Sequence, residues 1–214
     1  MFKIKEAAHI VIAIILFAFT ISFLSGFNAF LTALLTAFVV ILTNVLGKKL
    51  SASYLYAEAE SKIWHFQRWG WYERSYFKKP IPVGIIIPFT LSWLSWGFVR
   101  CLTLLQTEIK TTIHRAVKKR GFPGRFSELT EFHIGAIPAV GLTANLVLAL
   151  LLFIFGQQIG LITEIAKFNV YYVLWNLLPL GQLDGTKVLF GSRGLWYLLS
   201  IISIIFLVFI LLLM

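Results

Sequence analysis

Asn176-Leu177-Leu178-Pro179-Leu180-Gly181-Gln182-Leu183-Asp184-Gly185 holds the chain's only aspartate. The stretch closes an apolar run, turns through Pro and Gly, and delivers the Asp184 carboxylate at the edge of a membrane. An ionisable group there is costly unless partnered, which marks it as a functional-site candidate. Asp-Gly after Pro is also ordinary turn chemistry, and spacing alone admits both readings. The four histidines are His9, His65, His114 and His133, and none has another histidine four residues away. The His-Glu-x-x-His pattern, which puts two imidazoles one helical turn apart on a zinc ion with a Glu as general base, is therefore absent. Cys101 is the only cysteine, which excludes a disulfide framework and a cysteine metal cluster.

The elements that must carry these groups are membrane helices. Of 214 residues 59% are hydrophobic, against about 45–50% in a soluble domain, and the mean hydropathy is +0.86. An all-α polytopic membrane protein is expected, forming one membrane domain over residues 1–214. Runs of about 20 apolar residues place spans at about 7–24, 29–46, 134–155, 161–178 and 195–214. The N-terminus has the look of a signal peptide, but its apolar run is long and no small-x-small cleavage site follows. It reads as a retained first span. The aromatic stretch from Ala57 to Trp71 shows partial alternation, which suggests short strands lying at the interface.

Segment 81–99 is long enough to span, but Pro80, Pro82 and Pro88 interrupt its first half and Trp93 and Trp96 suit an interface. Charge decides. Basic residues flank it on both sides, from Lys48 to Lys79 and from Arg100 to Arg125, whereas turns 25–28 and 156–160 have no Lys or Arg. If the segment dips in and returns, every basic loop lies on the cytoplasmic side, as the positive-inside rule asks. Five spans plus one re-entrant or interfacial segment are expected, with six spans as the alternative. The end of the second span, Asn44 to Lys48, then shares a side and depth with Asp184. The net charge of +10 fits topology and anionic lipid. The basic stretch His114 to Arg125 lacks the interleaved aromatics or module of a nucleic-acid binder, so membrane lipid is the expected partner.

The pattern Asn-x-x-Pro-x-x-x-Leu-Asp-Gly at 176–185 resembles the aspartate motif of the site-2 proteases, the intramembrane zinc metalloproteases of peptidase family M50. The resemblance implies that Asp184 takes the place of the third zinc ligand. It sets Asn44-Val45-Leu46-Gly47-Lys48-Lys49 where the family has His-Glu-Leu-Gly-His-Lys, so Gly47 and Lys49 match while Asn44, Val45 and Lys48 replace two ligands and the base. Gly141-Leu142-Thr143-Ala144-Asn145 is similar to the family's Gly-Pro-x-x-Asn motif, with Leu142 for the proline. Val45 has no proton to exchange, Asn44 is a poor zinc ligand, and Lys48 would add a second cation. No zinc is expected here, and Lys48 becomes the natural ion-pair partner of Asp184. A lone buried carboxylate would otherwise take up a proton.

What the resemblance implies is a site-2 protease-like helical core without a working zinc motif, a pseudoprotease that binds or regulates membrane-protein clients at the cell membrane. Asp184, Asn176 and Asn145 are the candidate binding residues. Asn145 also reads as an interhelical hydrogen-bonding group. One rival is an active intramembrane metalloprotease using unusual ligands, with His9, His65 or His133 joining Asp184. His9 comes first, because Lys5-Glu6-Ala7-Ala8-His9 keeps the Glu and second His of the zinc pattern. Another rival is a small transporter built on Asp184 and Lys48, although transporters commonly show internal repeats and none is evident.

Overall fold

The computed structural model describes residues 3–23, 26–68, 76–111, 129–155 and 160–213. Helix α1 is Ile4–Ser22 and α2 is Phe27–Tyr54. Strands β1 (Ala57–Ile63), β2 (Phe66–Arg68) and β3 (Tyr76–Ile81) follow, then helix α3 (Val83–Leu94) and strand β4 (Leu105–Thr111). The chain closes with α4 (Glu131–Phe155), α5 (Gly160–Leu177), the short α6 (Asp184–Gly191) and α7 (Arg193–Leu213). The stretch His114 to Arg125, Trp69 to Trp71, Ser25 and the turn residues 156–159 lie outside the described residues.

Helices α1, α2, α4 and α7 are each long and apolar enough to cross a membrane, so this is a membrane protein. Five were expected. The segment 161–178 is helical as α5, but Glu164, Lys167, Asn169 and Asn176 set it apart from the other four. Its position explains that composition, because α5 is the shared wall of two cores. On one face Phe168 and Tyr172 pack with Ala13, Phe17, Ala37 and Ile41 of α1 and α2. On the other, Ala166, Val170, Val173 and Leu177 recur at helical spacing against Leu142, Leu146, Val188 and Leu199.

Helix α2 continues past the expected end at 46, keeping Lys48 and Lys49 on one rigid element. Gly47 does not break it. A Cβ there would come within 3.0 Å of Gly141 Cα and 3.1 Å of Ala144 Cβ. The glycine thus serves the close helix approach that membrane interfaces favour. The helix stops just before Tyr56, which takes a positive φ of 57°.

Strands appear at 57–68, where short strands were expected, and β3 and β4 are additions to that expectation. They form two antiparallel pairs, β1 with β4 and β2 with β3. The register sets Ser61 opposite Thr107.

Segment 81–99 folds as a hairpin whose two limbs meet. Helix α3 has 12 residues, about 18 Å at 1.5 Å per residue, short of a hydrocarbon core of about 30 Å. Its first turn and the returning limb meet at Trp64: Gly84 N donates to Trp64 O at 2.8 Å, and Trp64 N donates to Leu104 O at 2.9 Å. Further along, Phe89 stacks on Phe19 of α1. At the tip Gly97, with φ +79°, sits against Phe23 just beyond the end of α1. The limb returns along α5, where Arg100 lies over Phe168 and Leu102 O accepts from Asn176 Nδ2 at 3.4 Å. Arg100, the first of the basic residues counted after the segment, packs on α5 with the returning limb.

Candidate functional site

Three elements converge on Asp184. It is the first residue of α6, where the positive end of the helix dipole favours a carboxylate. Lys48, two turns before the end of α2, brings its Nζ to 2.5 Å from Asp184 Oδ2. The Thr107 hydroxyl on β4 donates to Asp184 Oδ1 at 2.8 Å. The lysine side chain is 1% exposed and the aspartate 0%. The Lys48–Asp184 approach is close without the angles of a hydrogen bond, so the attraction between them is ionic.

Two glycines make room for this contact. A Cβ at Gly141 would lie 2.6 Å from Lys48 Cγ and 3.1 Å from Cε, so α4 must present no side chain where the lysine stem passes. A Cβ at Gly185 would lie 2.2 Å from Leu177 O, so α6 starts hard against the end of α5. The glycine of the Asp-Gly pair thus serves packing as well as the turn.

Buried amides and hydroxyls surround the pair. Asn176 donates from Nδ2 to Tyr172 O at 2.8 Å and to Leu102 O at 3.4 Å, tying α5 to the returning limb. Asn145 donates to Val40 O at 3.4 Å across the α2–α4 interface, the interhelical role expected of it. Asn44, one turn before Lys48, is fully buried, and neither of its amide atoms has a partner among the described residues. The Oδ1 atoms of Asn145 and Asn176 and the Tyr172 hydroxyl are also unpartnered. Val45 is 1% exposed and packs in the core of α1, α2 and α5. Lys187, one turn into α6, has its ammonium pushed down by burial, while Asp184 pulls it up and Lys48 adds to the depression.

The histidines take other partners. His65 Nδ1 is 3.0 Å from Gln106 Nε2 and 3.2 Å from Ile63 O. His133 Nδ1 is 2.7 Å from the Thr130 hydroxyl. The Glu6 beside His9 is engaged by Lys49 Nζ at 2.8 Å and Ser61 N at 3.1 Å, fastening α1 to α2 and β1. His9 Nδ1 has no partner among the described residues, and His114 lies outside them. Among the described residues no three His, Cys, Asp or Glu side chains gather as a metal site.

Sequence reasoning missed Thr107. The available signal was alternation in Leu105-Gln106-Thr107-Glu108-Ile109-Lys110, which puts Thr107 on the same face as Leu105 and Ile109. Nothing in that pattern names Asp184 as its acceptor. Comparison of the chain with protein-family models, with curated proteins and with solved structures gives no match.

Proposed function

We propose that this chain is a non-catalytic, site-2 protease-like membrane protein that binds or regulates membrane-protein clients. The observation that supports the reading is the buried Lys48–Asp184 ion pair, which joins the two elements a zinc ion bridges in the family it resembles. The side chains at that point do not fit zinc. Lys48 ligates only when deprotonated, Asn44 is a weak donor, and Val45 cannot act as base. The ion pair holds α2 to α6 by charge, and the helices around it are left to bind a client's transmembrane segment. The cell membrane, with the Lys48 end of α2 on the cytoplasmic side, is the setting this reading requires.

The test is elemental analysis of the mildly extracted protein, with peptide mapping of candidate transmembrane clients after incubation in liposomes. Well under one zinc per chain, uncleaved clients and photocrosslinking to a transmembrane segment are the expected results. Stoichiometric zinc lost on Asp184→Ala, or zinc-dependent cleavage, would overturn the proposal.

A second reading is a small transporter. It draws support from the unpartnered polar atoms of Asn44, Asn145, Tyr172 and Asn176 in the helical interior, where water or a solute would satisfy them. Solute or proton flux in liposomes, abolished by Asp184→Asn, distinguishes it from the first.

A further inference from the structure

Away from the ion pair, the tip of the hairpin and one face of α5 enclose an open cavity of about 450 Å³. One wall is Gly97, Phe98, Val99 and Arg100, and the other is Lys167, Tyr171 and Trp175. The α5 residues recur at four-residue spacing, so they form a single ladder up the helix. Its cation is nearest the α5 N-terminus and its two aromatic rings lie beyond.

Both cations are held by aromatic faces. Arg100 Cζ lies 5.5 Å from the Phe168 ring centroid, and Lys167 Nζ lies 5.9 Å from that of Tyr171. Cation–π contact of this kind orients a charge without neutralising it. Among the described residues neither cation forms an ion pair. Glu164, three residues before Lys167, is exposed and makes none with it. Charges so placed in a membrane protein mark a functional site by default.

The surroundings select the ligand. Gly97 touches Phe23, beside the short connection between α1 and α2, so the hairpin tip is at the end of the bundle opposite Asp184. Trp93, Trp96 and Phe98 are 71%, 74% and 92% exposed there, as suits side chains in a bilayer interface. A ligand entering from that end meets two cations first, then Tyr171 and Trp175 further along α5 in the direction of Asp184. We propose that this cavity binds an anionic phospholipid, its phosphate between Arg100 and Lys167 and the start of an acyl chain along Tyr171 and Trp175. Charge complementarity favours the phosphate, and the aromatic ladder favours a lipid over a free anion.

The test uses the full chain in detergent, titrated with phosphatidylglycerol, phosphatidylcholine or inorganic phosphate and read by native mass spectrometry. Phosphatidylglycerol should bind to the wild-type chain and phosphatidylcholine much more weakly. Arg100→Gln and Lys167→Gln should each weaken phosphatidylglycerol binding about fivefold, and together about thirtyfold. Inorganic phosphate at millimolar concentration should displace little of the lipid. Equal binding of the two lipids, or unchanged binding in the variants, would overturn the proposal, and full displacement by phosphate would replace it with a free-anion site. Lipid-free thermal unfolding of each variant provides the folding control. If Arg100→Gln fails to fold, Lys167→Gln alone decides, since Lys167 is on the partly exposed wall of the cavity.

Discussion

Gly141 of α4 lies against the stem of Lys48 of α2, close enough that a methyl group would sit 2.6 Å from Lys48 Cγ and 2.9 Å from Asn44 O. The atoms that must yield include backbone, and the lysine is already committed to Asp184. Gly141→Ala is therefore expected to destabilise by about 1–3 kcal/mol, the usual range for overpacking. Gly194→Ala is the control, because a Cβ there meets nothing within 4 Å. Thermal unfolding in detergent should separate the two, and similar midpoints would show that α2 and α4 approach less closely.

Lys48 and Asp184 should behave as partners. Breaking one side of a buried pair costs about 3–5 kcal/mol, so Lys48→Met and Asp184→Asn should each lower stability by that order. The double variant should recover much of the loss. The coupling energy of the cycle is the deciding quantity, and simple additivity would mean the two residues do not interact. Thr107→Val removes a hydrogen bond to a charged group and should cost about 1.5–3 kcal/mol.

A second ionic cluster gives a pH dependence. Lys3 hydrogen-bonds Glu60, and Lys110 Nζ is 3.5 Å from the other Glu60 oxygen. The hydrogen bond from Lys3, with the charge of Lys110 helping, holds the Glu60 carboxyl below its ordinary value of 4.5. Its stabilising effect is thus complete above pH 4.5 and is lost as pH falls through the lower, folded value. The same bond raises Lys3 above 10.5, so its share is complete below pH 10.5 and is lost as pH rises beyond the folded value. Glu60→Gln should flatten the acid side of a stability–pH curve. An unchanged acid limb would show that other carboxylates dominate it.

The hairpin predicts which positions share a membrane face. Phe27 at the start of α2 and Trp96 at the hairpin tip are 74% exposed, whereas Leu50 near the other end of α2 is 69% exposed. Single cysteines at 27 and 96 should react with an impermeant thiol reagent from one side, and a cysteine at 50 only from the other. The native Cys101, 1% exposed, should stay silent. Labelling of 96 together with 50 would turn the hairpin into a surface-lying segment.

Periodicity and length were enough to place the long helices, because an apolar run of membrane length leaves few alternatives. The prolines of 81–99 marked a segment unlike the long helices, and its helix is indeed only 12 residues long. What escaped was set by long-range packing. Strand β4 alternates over only six residues, and its partner β1 is more than 40 residues away in sequence. Past Leu46, α2 runs close against Gly141 and Ala144, which are distant in sequence. The Lys48–Asp184 pair was expected from motif positions, but Thr107 became visible only when β4 was laid beside Asp184. A count of basic residues likewise could not show that Arg100 lies over Phe168 of α5.

Neighbouring lysines of α2 have acidic partners from opposite ends of the chain, Glu6 for Lys49 and Asp184 for Lys48. The first partner precedes α2 in synthesis, and the second emerges long after it. At about 5–20 residues per second, Lys48 waits on the order of ten seconds for its counter-charge, beside a glycine-lined groove that α4 has yet to form. The newly made second helix is thus a provisional tenant of the bilayer, and biogenesis has an interval in which quality-control factors meet an unpaired cation. Chains truncated before Asp184 should turn over faster in a pulse-chase than those truncated after Gly191, and Lys48→Met should erase that excess.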